Sequence, residues 1–139
     1  FILLYAFGLH PCEMCWWQRY PHMAAIAFAL VAFVRKRDPR ASMVFVALAA
    51  LAIGVSGGIG LFHAGVEYGW WHGLTACSTT PTSGSSADIL NQIMAMPITR
   101  CDVAPWTLMG ISLAGYNGLL SLGAALAILG LLSSKGRRP

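Results

Sequence analysis

The feature that most limits how this chain can fold is residues 41–62, an apolar run without a charged side chain. Residues 16–34 and 105–132 are also largely apolar, and all three runs are close to or above the roughly 20 residues that a helix needs to cross a bilayer. Residues 1–9 are apolar but shorter, and we interpret them as the end of a partial first helix. The sequence therefore predicts an all-α integral membrane protein, a four-helix bundle whose first helix is truncated in this chain.

The overall composition argues against a soluble domain. Hydrophobic residues make up 57% of the chain and charged residues only 10%, whereas soluble domains carry about 25% charged residues. A soluble fold of 139 residues has too little interior to bury so many apolar side chains. We therefore expect one membrane domain over residues 1–139.

The positions of lysine and arginine predict the orientation in the membrane. Most of the nine Lys and Arg residues lie in two clusters, one within residues 35–40 and one within residues 135–138. Loops rich in Lys and Arg stay on the cytoplasmic side, so residues 10–15 and the loop 63–102 should lie outside. Because the basic residues flank apolar runs instead of alternating with aromatic residues, no nucleic-acid partner is predicted.

The outer loop contains one segment with helical periodicity, residues 87–96. Its apolar side chains fall on one helical face, which predicts a short helix. That helix either lies on the membrane surface or folds against the bundle, and the sequence does not separate the two arrangements.

Small residues at helical spacing predict close helix packing. Gly54, Gly57 and Gly58 place small residues one turn apart, and Gly54 and Gly58 form a G-x-x-x-G pattern, which lets a second backbone approach closely. Gly110 and Ala114 are expected to act in the same way in the last span. We assign these residues no chemical role.

The four cysteines, Cys12, Cys15, Cys77 and Cys101, all fall outside by the charge argument. Four cysteines allow three connectivities, and their spacing favours Cys12 with Cys15 in a C-x-x-C motif and Cys77 with Cys101 closing the loop. The pairs could be structural, could bind a metal, or could exchange electrons. A C-x-x-C ring is small and adds little as a staple, and such motifs often act in thiol exchange. Redox chemistry is therefore favoured over a structural role, and no metal is predicted because zinc sites favour two C-x-x-C knuckles.

Several ionisable side chains are expected to lie near the C-x-x-C motif. Cys15, Arg19 and His22 lie on one helical face, and a helix N-terminus favours a thiolate at Cys15. Arg19 either extends to the lipid headgroups or holds an anionic group beside Cys15. His63 and Glu67, four residues apart, either pair with each other or place a proton donor near the site.

Several motifs resemble the disulfide bond formation protein B (DsbB) family, and the resemblance covers nearly the whole chain. Its specific part is a C-x-x-C with an arginine four residues later, together with a second cysteine pair between the last two spans. The matching segments are Pro-Cys-Glu-Met-Cys-Trp-Trp-Gln-Arg-Tyr-Pro-His at 11–22, His-Ala-Gly-Val-Glu at 63–67 before Cys77, Cys101-Asp102 with Pro105-Trp106, Gly-Ile-Ser at 110–112 and Tyr116-Asn117.

This resemblance implies a multi-pass protein of the bacterial inner membrane with its cysteines on the periplasmic side. Proteins of this kind reoxidise a soluble periplasmic thioredoxin-like oxidase (DsbA-like) and reduce a membrane quinone, ubiquinone or menaquinone. The expected activity is that of a protein dithiol:quinone oxidoreductase. The general or dedicated nature of the partner, and the oligomeric state, are not predicted.

The resemblance also implies roles for individual residues. Cys77 matches the cysteine attacked by the partner and Cys101 its loop mate. Cys12 matches the cysteine that exchanges with Cys101, and Cys15 the one that faces the quinone.

Arg19 matches an arginine beside the quinone ring, and His63 a histidine that contacts the quinone in some members. Two alternatives stay open. One is a non-catalytic membrane protein with two structural disulfides. The other, an enzyme like vitamin K epoxide reductase, is disfavoured because its C-x-x-C motif would be expected late in the bundle.

Overall fold

The structure, a computed structural model, describes residues 11–75, 85–95 and 100–135. This part of the chain is mostly helical, as predicted. The expected partial helix at 1–9 lies outside the described residues. The elements are α1 (Glu13–Val34), α2 (Pro39–Glu67), α3 (Ser86–Ala95), β1 (Thr107–Leu108), β2 (Ile111–Ser112) and α4 (Leu113–Lys135).

The first two long helices begin at side-chain caps. The Cys12 sulfur accepts a hydrogen bond from the Cys15 backbone N–H at 3.3 Å, which satisfies a free donor in the first turn of α1. The Asp38 carboxylate accepts from the backbone N–H groups of Arg40 and Ala41 and caps α2, whose first residue is Pro39. The basic segment between them is therefore a short connection that turns the chain back.

Two of the described helices are long and apolar enough to cross a membrane, Pro39–Glu67 and Leu113–Ser134. Their most apolar windows have mean hydropathies of 2.3 and 1.6, yet only 28% and 17% of those windows are buried inside the structure. The core helix of a soluble protein would be mostly buried, so this exposure favours contact with lipid. In α1, Gln18, Arg19 and His22 make the N-terminal half more polar.

The helix α2 occupies the centre and packs against both α1 and α4. It approaches α4 closely at Gly57, as expected, where an added Cβ would lie 2.9 Å from the Leu122 backbone nitrogen. At Gly60 an added Cβ would lie 2.9 Å from both the Ala114 carbonyl oxygen and the Gly118 backbone nitrogen. The expected G-x-x-x-G contact is wrong in detail, because a Cβ at Gly58 would meet nothing within 4 Å. Gly54 does face α4, at an ordinary 3.4 Å from the Ala125 Cβ.

The last long helix begins later than the expected start at residue 105. Thr107–Leu108 pairs antiparallel with Ile111–Ser112, and the two residues between them, Met109 and Gly110, have φ values of 51° and 79°. Two successive positive φ angles form the tight turn that suits a hairpin. Gly110 is therefore a turn residue with open space around it, and its expected packing role is wrong.

The C-terminus of α2 is a Schellman motif, which redirects the chain over the site. Gly69 adopts φ 71°, and the backbone N–H groups of Gly69 and Trp70 donate to the carbonyls of Val66 and Gly65. The hairpin is fastened to this end of α2 because the Tyr68 hydroxyl lies 2.9 Å from the Gly110 carbonyl oxygen and 2.9 Å from the Ser112 nitrogen.

The predicted loop helix is present as α3. Ser85 and Asp88 form a reciprocal cap at its start, because the Ser85 N–H donates to the Asp88 carboxylate and the Asp88 N–H donates to the Ser85 hydroxyl. Leu90 and Met94 are 59% and 80% exposed. An apolar face left open in this way favours the membrane-surface arrangement over packing against the bundle.

We expect Gly60→Ala to lower the thermal stability of the purified protein, by about 1–3 kcal/mol, because the new methyl group would press on backbone atoms of α4 that cannot move independently. Gly58→Ala is the matched control, since the same change there meets open space. Thermal unfolding in detergent compares the two, and equal Tm values would contradict the assigned helix contact.

Candidate active site

The two cysteines of the C-x-x-C motif lie at the start of α1, with their sulfurs 2.6 Å apart. Cys12 is the N-cap and is buried, whereas Cys15 is in the first turn and half-buried. Both are free thiols. The helical turn thus brings the sulfurs so close that a small side-chain rotation would allow a disulfide bond of about 2.05 Å.

The environment makes the two thiols unequal. A hydrogen bond from the Cys12 thiol and, to a smaller extent, the positive charge of Arg19 lower the pKa of Cys15 to about 7, against the opposing effect of burial. The same hydrogen bond, together with burial, raises the pKa of Cys12. Cys15, which precedes the apolar run 16–34, is therefore the thiolate of the pair near neutral pH, as expected from its position at a helix N-terminus.

Arg19 lies one turn further along α1, on the same side as Cys15. Its guanidinium carbon lies 4.9 Å from the centroid of the Trp16 ring, which is a cation–π distance. The side chain is half-buried. Arg19 therefore carries its positive charge close to the Cys15 sulfur.

His63 and Glu67 come from the last turns of α2, and both side chains are only 2% exposed. The His63 Nε2 atom lies 3.7 Å from the Cys12 sulfur and 3.8 Å from the Glu67 Oε1 atom. The two interpretations of this pair from sequence are thus compatible, because His63 contacts both Glu67 and the C-x-x-C motif.

Cys101 lies in the same apolar cluster as Cys12. The cluster also contains Met14 and Val66, and Cys101 within it is fully buried. Cys101 is disulfide-bonded, and its sulfur accepts a hydrogen bond from the Thr75 hydroxyl at 3.5 Å. Cys77, its expected partner, lies outside the described residues. The fold therefore brings one cysteine of the loop to the C-x-x-C motif.

The donor atoms of Cys12, Cys15 and His63 lie within 4.8 Å of one another, as in a metal site. Two thiolates bound to one zinc ion at about 2.3 Å in tetrahedral geometry would be separated by about 3.7 Å. The observed 2.6 Å between the sulfurs is much shorter. This spacing suits formation of a sulfur–sulfur bond better than shared binding of a metal.

Sequence reasoning missed Gln18 and Asn117. Gln18 is buried, and its side-chain amide contacts the His63 Nδ1 atom and the Asn117 amide, each at 2.8 Å. A polar side chain within an apolar helix is unfavourable unless it has partners. The sequence signal that could have identified these two residues was therefore an amide side chain within an otherwise apolar run.

Comparison with known proteins identifies the family of the chain. The family model described as "Disulfide bond formation protein DsbB" matches residues 1–131. The chain belongs to the DsbB family. This family membership confirms the resemblance predicted from the motifs, and it places the chain among membrane-associated oxidoreductases of disulfide bond formation.

Two curated proteins show the relationship in detail. The chain is 29% identical to the protein named "Disulfide bond formation protein B" from Marinobacter nauticus, over 94% of this chain and 79% of that one. It is 27% identical to an uncharacterized protein from Rickettsia prowazekii, over 95% and 76% of the two chains. No solved structure matches the chain.

The unequal thiols predict a pH profile for alkylation of the reduced protein. The alkylation rate of Cys15 should rise with pH and reach half of its maximum near pH 7, and Cys12→Ala should move that midpoint upwards because the hydrogen bond to the thiolate is lost. Mass spectrometry of the alkylated peptide measures both. Met14→Leu, which keeps both thiols, serves as control. An unchanged midpoint in Cys12→Ala would show that Cys12 does not activate Cys15.

Proposed function

We propose that this protein is a protein dithiol:quinone oxidoreductase, which reoxidises a periplasmic DsbA-like thiol oxidase and passes the electrons to ubiquinone or menaquinone in the inner membrane. The observation that carries the proposal is the burial of Cys101 in one cluster with Cys12. Thiol–disulfide exchange between the loop pair and the C-x-x-C pair requires the sulfurs of Cys101 and Cys12 to come together. Two purely structural disulfides would have no need for this proximity.

The proposed membrane arrangement follows from the ends of the helices. The cysteine cluster lies at the start of α1 and the end of α2, whereas the basic connection joins their opposite ends. The 22 residues of α1 extend over about 33 Å, roughly the thickness of the hydrocarbon core. This separation supports the proposed orientation, with the basic connection cytoplasmic and the cysteines periplasmic.

In the first step, a partner thiolate attacks Cys77 of the Cys77–Cys101 disulfide. A partner–Cys77 bond forms, the Cys77–Cys101 bond breaks, and Cys101 leaves as a thiolate. The second thiol of the partner then attacks its own sulfur in this mixed disulfide. The partner is released in the oxidised state, and two electrons remain on the loop cysteines.

In the second step, the Cys101 thiolate attacks Cys12 of an oxidised C-x-x-C pair. The Cys12–Cys15 bond breaks, and Cys15 leaves as a thiolate, which its lowered pKa favours. Cys77 then attacks Cys101, which re-forms the loop disulfide and releases Cys12.

The residues around Cys15 fit a quinone as acceptor. When bound, a quinone accepts two electrons and two protons, and negative charge develops on its oxygen atoms. Arg19 would hold that charge close to the Cys15 thiolate, as positively charged groups do at developing anions. His63 lies on the other side of the cysteine pair, next to Cys12. The Cys12–Cys15 disulfide re-forms when the electrons leave.

The inequality of the two thiols favours exchange over the alternative of two structural disulfides. A structural pair at Cys12 and Cys15 would not need an activated sulfur, yet Cys15 has a lowered pKa. Catalytic disulfides also have higher reduction potentials than structural ones.

The proposed order of exchange predicts a covalent trap. Cys101→Ala leaves Cys77 as a free thiol, which attacks the disulfide of an oxidised DsbA-like oxidase: the Cys77–partner bond forms as the partner's own disulfide breaks. This adduct should accumulate, because Cys101 is absent to displace the partner. Non-reducing electrophoresis and peptide mapping identify the linked residues. The adduct should disappear in a Cys77→Ala variant. A partner trapped on Cys12 would contradict the order, and full activity of Cys77→Ala would show that the loop disulfide is only structural.

Removal of the positive charge beside Cys15 should impair use of the quinone. We expect Arg19→Ala to lower quinone-dependent turnover by about tenfold or more, with the adduct to the partner unchanged. Arg19→Lys should recover only part of the loss, since an ammonium group lacks the planar donor fork of arginine. Arg40→Ala, which removes an exposed charge at the start of α2, is the control. Wild-type turnover and quinone affinity in Arg19→Ala would show that Arg19 only extends to the headgroups.

A further inference from the structure

A chain of buried polar side chains links the active site to the middle of all three long helices. We call it the Gln18 network, and it consists of Gln18 from α1, Ser56 and His63 from α2, and Asn117 and Ser121 from α4. Such groups are unfavourable in an apolar bundle unless their hydrogen bonds are made. The pattern of donors and acceptors within the network therefore determines the proton position on His63.

The orientation of the Asn117 amide follows from a backbone contact. Its Nδ2 atom lies 3.3 Å from the carbonyl oxygen of Ser56, and a carbonyl can only accept a hydrogen bond. The Ser121 hydroxyl donates to the other end, Oδ1, at 2.9 Å. The NH₂ group of Asn117 therefore faces Gln18.

The orientation of the Gln18 amide follows in turn. The Asn117 NH₂ group donates to Gln18 at 2.8 Å, so the atom that receives it is the oxygen, Oε1. The opposite atom, Nε2, lies 3.2 Å from the Met14 carbonyl oxygen, which again can only accept. The donor from Asn117 at Oε1 and the acceptor from Met14 at Nε2 therefore independently assign the same orientation to the Gln18 amide.

The Gln18 amide then determines the protonation of His63. Its NH₂ group lies 2.8 Å from the His63 Nδ1 atom and can only donate, so Nδ1 must carry no proton. In a neutral imidazole the proton is then on Nε2. An imidazolium would place an N–H against the NH₂ group of Gln18, which disfavours the charged ring.

We propose that Gln18, held by Asn117, is a positioning residue that fixes His63 as a hydrogen-bond donor to the Cys12 sulfur and prevents it from acting as a base. The Nε2–H group faces the Cys12 sulfur at 3.7 Å, with the backbone carbonyl of Cys101 as a second acceptor, and the Glu67 carboxylate lies 3.8 Å away. Nδ1, the nitrogen that could accept a proton, is occupied by the amide of Gln18.

The chemical consequence rests on the proposed function. When the Cys77 thiolate attacks Cys101 in the Cys12–Cys101 mixed disulfide, the Cys77–Cys101 bond forms and the Cys101–Cys12 bond breaks. The electron pair of the broken bond remains on Cys12 as a thiolate. The His63 Nε2–H group stabilises this leaving sulfur by donating a hydrogen bond, and the proton stays on the ring.

Nitrogen NMR of the full chain, labelled with ¹⁵N at histidine and kept reduced in detergent, tests the proton position. His63→Asn identifies the signals of His63. We expect an unprotonated Nδ1 and a protonated Nε2 near neutral pH. Gln18→Glu has nearly the same shape but accepts a hydrogen bond, so Nδ1 should become protonated. His22→Phe is the control, because the hydrogen bond of His22 is to the backbone carbonyl of Gln18 and not to its side chain.

A protonated Nδ1 in the wild-type protein, or identical His63 signals in Gln18→Glu, would overturn the proposal. A second measurement tests the effect of the His63 hydrogen bond on the Cys12 sulfur. It is the alkylation rate of Cys12 in a Cys15→Ser background. Loss of the fixed donor in Gln18→Leu should lower that rate by about twofold to tenfold, the equivalent of one hydrogen bond, and His63→Phe should do the same. An unchanged rate in Gln18→Leu would overturn the donor role. Neither measurement uses a partner or a quinone, so both remain valid if quinone reduction fails.

Discussion

The rest of the structure depends on the contact between the last turns of α2 and the first turn of α1. There the fold buries a thiol, an imidazole and an amide together, with Cys12 4%, His63 2% and Gln18 8% exposed. Groups of this kind are stable away from water only when each has a partner, so each restricts the position of the others. The close approach of α2 and α4 at Gly60 brings Asn117 within reach, and the site is thereby connected to all three long helices.

The two thiols of the C-x-x-C motif face different neighbours. Cys12 is buried in one cluster with Cys101 and contacts His63, whereas Cys15 is only half-buried and has its pKa lowered by the charge of Arg19. A pair that passes electrons in one direction needs this asymmetry, because one sulfur must exchange with a protein cysteine and the other with an acceptor in the membrane. The packing around the helix N-terminus supplies this asymmetry, since neighbouring elements cover the cap residue fully and the first-turn residue only in part.

Much of this arrangement could be predicted from the sequence. Long apolar runs indicated α1 and α2 because a membrane-spanning helix leaves a continuous signal, and the C-x-x-C spacing fixed the proximity of its own sulfurs. The hairpin before α4 left no such signal, since its strands are two residues long and rest on the positive φ angles of Met109 and Gly110. The contact of Gly60, in place of Gly58, depends on the rotation of α2 about its axis. The hydrogen bond from Asn117 to Gln18 joins residues 99 positions apart, which local patterns cannot reveal.

The most direct test of the central claim is the transfer of electrons through the purified full-length protein. A reduced DsbA-like oxidase and a soluble quinone analogue are mixed with it, and quinone absorbance and the free thiols of the oxidase are followed together. The account predicts that both fall at the same rate, one quinone for each dithiol, and that Cys12→Ala abolishes the reaction. Oxidation of the dithiol without loss of quinone, or unchanged turnover in Cys12→Ala, would contradict it.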